Sequence, residues 1–186
     1  MARACPYLPA ADDSNGESQY AGAGLQNGLM RRGMNVAQIS LFVGSVYGGA
    51  LLTARDVAAK LREQGHQVDL YENPELADLT RNQHAILVCT STTGAGELPP
   101  SLVPLYVRLR DDFPLLQGRP FGIITLGDSS YGDTYGAAGA LMEEILLELG
   151  GRPLQERLII DALETTEPEE LAIPWALDWA AKLPGA

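Results

Sequence analysis

The chain has 186 residues, 46% of them apolar, 20% charged and 6% aromatic, which is the composition of one soluble globular domain. Thirteen Lys and Arg stand against 24 Asp and Glu; a net charge of −11 works against nucleic-acid or anionic-membrane partners and favours a basic protein partner. No run approaches the roughly 18 apolar residues of a membrane helix, and two cysteines in segments of different character, Cys5 and Cys89, exclude a disulfide scaffold and fit a reducing, cytoplasmic setting.

Residues 1–34 are rich in Gly, Ala, Ser and Asn and carry neither helical nor strand periodicity. Such a segment buries too little apolar surface to offset its ordering entropy, so a disordered N-terminal extension is expected there, followed by a folded domain over 35–186. No apolar core of a signal peptide follows Arg3. From Val36 the pattern becomes regular. Val36 to Val43 reads as a strand, and Leu51 to Gln64 has apolar residues at helical spacing before Gly65. Gln67 to Tyr71 and Ala85 to Thr90 read as strands, the second apolar enough to be covered on both faces. A helix is expected after Pro99 and Pro100, a buried strand over Phe121 to Leu126, and a helix over Ala140 to Leu149. Leu158 to Asp161 reads as a last strand, and Pro174 as the opening of a closing helix.

Alternating strands and helices predict an α/β fold, a doubly wound five-stranded parallel sheet with helices on both faces. In such sheets ligands sit beyond the carboxyl ends of the strands, so function is sought in the loops after Val43, Thr90 and Leu126. The first loop, Ser45, Val46, Tyr47, Gly48, Gly49 and Ala50, joins strand to helix with small residues and no cation. Its amides suit a phosphate monoester at a helix start; a triphosphate loop would carry Gly-Lys-Ser/Thr, where Ala50 and Leu51 stand. A tight turn without a ligand is the alternative. The second loop, Ser91, Thr92, Thr93, Gly94, Ala95 and Gly96, is rich in hydroxyls with a Gly-x-Gly backbone free to turn; simple capping of the next helix is its alternative. The third, Leu126, Gly127, Asp128, Ser129, Ser130, Tyr131, Gly132 and Asp133, sets an aromatic among small residues, where it can stack on a flat ligand or pack on its own loop.

Taken together, the three loops resemble the FMN sites of flavodoxins, with G-S-x-x-G-x at Gly44, S-T-x-G-x-G at Ser91 and L-G-D-x-S-Y at Leu126. The resemblance is nearest to the short MioC-like or YqcA-like bacterial flavodoxins and covers about Met34 to Leu183. It implies sheet order 2-1-3-4-5, with FMN phosphate on Ser45 to Ala50 and the isoalloxazine and ribityl between the second and third loops. Tyr131 would stack on its outer face and Gly94 would provide the turn that meets flavin N5. It further implies a monomeric one-electron carrier passing low-potential electrons from a basic flavodoxin or ferredoxin reductase to acceptor enzymes through transient contacts, and no catalytic residue of its own. Two departures stand out: Tyr47 and Ala50 occupy positions where many flavodoxins have threonine, and the second loop has no aromatic.

An NAD(P)H-dependent quinone or FMN reductase on the same fold is the alternative, although the short loops favour a carrier; a flavin-free adaptor is another. A serine hydrolase at Ser129 needs a histidine base, and His66 and His84 fall at element ends away from the site edge. A receiver domain needs an acidic acceptor where Thr90 and Ser91 stand. No Cys/His cluster has metal-ligand spacing.

Overall fold

Strand β1 (Gln38–Gly44) is almost wholly buried, and its side chains alternate between two cores. The computed structural model describes residues 36–184, so the expectation for 1–34 lies outside the described residues. Helix α1 (Gly49–Glu63) follows β1 and turns Ala50, Ala54, Val57, Ala58 and Leu61 inward. Strand β2 (Gln67–Tyr71), a short helix α2 (Leu76–Thr80), strand β3 (Ala85–Ser91) and helix α3 (Val103–Asp112) come next. Strand β4 (Pro120–Gly127) leads through a 3-10 turn (Ser129–Thr134) to helix α4 (Ala137–Glu148). Strands β5 (Arg152–Pro153) and β6 (Leu158–Asp161) and helix α5 (Glu169–Ala181) complete the domain.

All strands pair in parallel, in the order β2-β1-β3-β4-β5, with β6 also on β4. This is the doubly wound sheet that the alternation predicts. The fifth position holds two pieces rather than one: Pro120 and Phe121 pair with β5, and Ile124 to Gly127 pair with β6. One core lies under α1 and α5, where Ile39, Leu41, Leu87, Cys89 and Ile124 meet Trp179 and Ala176. The other lies under α2, α3 and α4, where Phe42, Ile86, Val88 and Ile123 meet Leu105, Met142 and Leu146.

Several element boundaries differ from the sequence reading, each for a local reason. Helix α5 starts at Glu169, so Pro174 lies inside it. Proline removes one backbone donor, but Glu169 and Glu170 in the first turn favour the helix dipole and carry the start upstream. Pro99 and Pro100 precede α3, and it is Pro104 that sits in its first turn. Helix α2 is too short for an apolar period; its sequence signal is a reciprocal cap in which Glu75 N donates to Asp78 Oδ2 at 3.0 Å. On α4, Glu143 pairs with Arg157, just ahead of β6.

At the amino ends of the strands, Ala37 N donates to His66 Nδ1 at 3.2 Å, which requires an unprotonated ring nitrogen. Burial holds the His66 pKa below its ordinary value of 6.5. The unfolded chain therefore binds the extra proton first, and the stability this contact gives is present above about pH 6.5 and is lost as pH falls through the lower folded value. We expect the urea midpoint to drop between pH 7 and pH 5, and His66→Gln to flatten that drop. An unchanged slope in the variant would remove His66 as its source.

A cleft at the carboxyl ends of the strands

Beyond the ends of β1, β3 and β4 the chain leaves a cleft of about 400 Å³. Gly48, at φ +90, turns the backbone from β1 into α1. Its amide donates to Ser45 Oγ at 3.0 Å, which leaves the serine its own proton to give. The next amides, of Gly49, Ala50 and Leu51, have no acceptor within the helix. They sit at the positive end of the helix dipole, where an anion is favoured. Among the described residues no Lys or Arg lines the cleft, so these leave an anion there to amides and hydroxyls. Underneath, Cys89 Sγ donates to Ala50 O at 3.3 Å, and burial pushes its thiol pKa up to about 12. This cysteine is an inert core residue.

The second loop closes on itself. Thr93 N donates to Glu97 O at 3.0 Å, and Glu97 N returns to Thr93 O at 2.7 Å. Gly94 sits at φ +51, a left-handed conformation that favours glycine, and the exposed Glu97 carboxylate lies beside its bare Cα. Thr92 N donates to Leu126 O at 2.9 Å and so locks the loop to the end of β4. Thr92 Oγ1 is buried in the cleft lining without a hydrogen-bond partner among the described residues. Buried hydroxyls are normally paired, so this one is open to a partner, a ligand or a water, from the cleft.

In the third loop Asp128 caps the 3-10 turn by accepting from Ser130 N at 2.8 Å. The turn presents Tyr131 at the mouth of the cleft with 66% of its surface exposed. Tyr135 closes the inner wall. A Cβ at Gly127 would meet its ring at 2.9 Å, so the bare Gly127 backbone is what lets that ring pack against the strand end. Burial raises the Tyr135 pKa, reinforced by the charges of Asp161 and Glu164.

Of the residues singled out from sequence, the cleft brings together Ser45, Val46, Tyr47, Gly49, Ala50, Ser91, Thr92, Thr93, Gly94, Leu126, Gly127, Asp128 and Tyr131. Gly48, Ala95, Gly96, Ser129, Ser130, Gly132 and Asp133 do not line it; they belong to the turns that shape the loops. Thr134, Tyr135 and Ala162 line it and were not singled out. The sequence reading opens this helix at Ala140, whereas α4 begins at Ala137, directly after Gly136 at φ +70, and Tyr135 stays in the loop.

His84 lies at the opposite edge of the sheet. Ser40 Oγ and Asp69 Oδ2 approach the same nitrogen, Nδ1, at 3.4 and 3.7 Å, so no relay through the ring is formed. Among the described residues no group of acidic, His and Cys side chains could hold a metal ion, and no helix is long and apolar enough to cross a membrane.

A parallel sheet with an anion-accepting helix start, a hydroxyl-lined floor and an aromatic at the mouth defines a nucleotide-type cofactor cleft. The sequence profile of the flavodoxin family matches residues 41–175. A flavodoxin of Pectobacterium carotovorum subsp. carotovorum, YqcA, is 43% identical over 146 residues, covering 78% of this chain and 96% of its own. The YqcA flavodoxin of Escherichia coli K12 is 40% identical over 149 residues, covering 80% and 99%. A solved cysteine-to-serine mutant of a Pseudomonas aeruginosa flavodoxin is 43% identical with a TM-score of 0.75, covering 80% and 99%. The chain belongs to the flavodoxin family, electron-transfer flavoproteins of which the YqcA proteins are examples. The orphaned amides of α1 and the unpartnered Thr92 hydroxyl fit a flavin nucleotide.

Proposed function

We propose that the flavin is FMN and that the protein is a one-electron carrier, taking low-potential electrons from a basic reductase and handing them to acceptor enzymes in the cytoplasm as a monomer. The observation that carries this reading is the single cleft into which all three Gly-rich loops open, with free amides at its helix end and Tyr131 at its mouth. When bound, the flavin supplies the redox chemistry. The amides of Gly49, Ala50 and Leu51 and the hydroxyl of Ser45 would hold one phosphate monoester, and among the described residues no cation lines the cleft for a second phosphate or an adenylate. Thr92 and Thr93 line the floor and Tyr131 shields one ring face. Asp128, with Glu97, Asp133 and Glu164 on the surrounding loops, makes added negative charge costly and so favours a strong reductant. The same acidic field supports a basic partner and a brief, steered encounter. Heat-released flavin should be FMN at one per chain; FAD, or an apoprotein that takes up no flavin, would overturn the reading.

Tyr131→Ala tests the mouth of the cleft. Aromatic stacking contributes about 0.5–1.5 kcal/mol beyond burial, so FMN affinity should fall about tenfold, while Tyr131→Phe should bind as the wild type does. Fluorescence titration of the apoprotein with FMN measures both. Equal affinity in Tyr131→Ala would remove the third loop as a flavin platform.

A further inference from the structure

One carboxylate outside the cleft lining joins the two chain segments that flank its third wall. Asp161 ends β6 in register with Gly127 and is only 7% exposed. Its Oδ1 accepts from Ser129 N at 3.1 Å, across 32 residues of sequence, and from Leu163 N at 3.0 Å. Its backbone carbonyl accepts from Glu164 N at 3.1 Å and Thr165 N at 3.2 Å. The neighbouring Ala162 N donates to Gly127 O at 2.8 Å and Ala162 lines the cleft. The bond to Leu163 is a side-chain turn of the kind aspartate makes two residues along. The bond to Ser129 is different, because it reaches into the first residue of the 3-10 turn that carries Tyr131.

We propose that Asp161 is the positioning residue of the cofactor cleft: its carboxylate anchors the Tyr131 loop to the strand end, and its buried charge opposes a second electron on the bound flavin. The proposal rests on the FMN reading above. Interaction with the Ser129 hydroxyl, then with the Leu163 amide, holds the Asp161 carboxyl below its ordinary range against the effect of burial, so the group is ionised at neutral pH. Its charge is felt at the cleft wall, where it raises the Tyr135 pKa. A charged acceptor makes stronger hydrogen bonds than a neutral one, and a loop held by one is set before its ligand arrives.

Two substitutions separate the anchor from the charge. Asp161→Asn keeps a carbonyl oxygen able to accept both amides and removes the charge. Asp161→Ala removes both. In the apoprotein, hydrogen exchange at Ser129 and Leu163 should speed at least tenfold in Asp161→Ala and stay near wild type in Asp161→Asn. FMN dissociation constants should rise about tenfold in Asp161→Ala and stay within about twofold in Asp161→Asn. In redox titrations the second one-electron step should become severalfold more favourable in Asp161→Asn, where tenfold corresponds to about 59 mV. Should Asp161→Ala not fold, Ser129→Pro removes the tethered amide at a first-turn position that suits proline, and it should loosen the loop in the same exchange measurement. Wild-type exchange and affinity in Asp161→Ala, or equally loose loops in Asp161→Asn and Asp161→Ala, would overturn the anchor. An unmoved second potential in Asp161→Asn would overturn the role of the charge. Wild-type protein that binds no FMN fails the FMN reading instead, and the apoprotein exchange data still decide the anchor.

Discussion

Gly49→Asp should weaken FMN binding at least a hundredfold while leaving the apoprotein as stable as the wild type or slightly more so. Gly49 is the first residue of α1, and a Cβ there would meet only Leu126 Cδ2, at 3.9 Å, so the side chain has room. The first turn carries no acidic residue. A carboxylate there satisfies the helix dipole, worth about 0.3–1 kcal/mol, and in the same act places a negative charge where the phosphate would sit. Like charges about 4 Å apart at an effective dielectric near 20 repel by about 4 kcal/mol, and a hundredfold loss needs about 2.7 kcal/mol. Gly49→Asn carries the same bulk without the charge and should lose far less. The measurement is a pair of FMN titrations with matched thermal melts. Wild-type affinity in Gly49→Asp would mean that the phosphate does not lie at this helix start.

Trp179→Ala should cost about 3–5 kcal/mol of stability, the range for removing a buried tryptophan. The indole is fully buried, its Nε1 donates to Phe121 O at 3.0 Å, and it lies directly on Gly122, where a Cβ would come within 2.6 Å of Nε1. Against a total of about 5–15 kcal/mol for a typical domain, this is a large share, and the thermal midpoint should fall by roughly 10 °C or more. Phe121 lies at the other end of β4 from the cleft. FMN affinity measured well below the midpoint should therefore be unchanged. A loss below about 1 kcal/mol would show that the site collapses around the missing ring.

Most strands and helices were legible in the sequence because they carry their own period, whereas α2 and the two-residue β5 are too short to show one, and the sheet order entered through the family resemblance. Loops were legible where several small or hydroxyl residues cluster, as at Ser91 to Gly96. What escaped depended on single residues acting at a distance. Tyr135 lies past the third loop's motif, and the left-handed turn at Gly136 that follows it is not visible from the sequence. Asp161 looks like a strand end, because its partner Ser129 lies in another loop and no local pattern pairs them. Pro174 looks like a helix start because the favourable charges upstream, Glu169 and Glu170, are indistinguishable in sequence from a solvated loop.

The divided fifth strand bears on how such a molecule behaves in a crowded solution. A continuous outer strand presents a row of unused amides and carbonyls that can recruit the strand of a neighbour. Here that border is two residues of β5, one of them Pro153 with no donor, followed by an interruption before β6. The interruption is stitched inward, with Gln155 Nε2 donating to Trp175 O at 3.1 Å and Trp175 Nε1 to Glu156 O at 3.2 Å. An approaching strand would find no ladder long enough to nucleate on, so this border resists runaway edge-to-edge association.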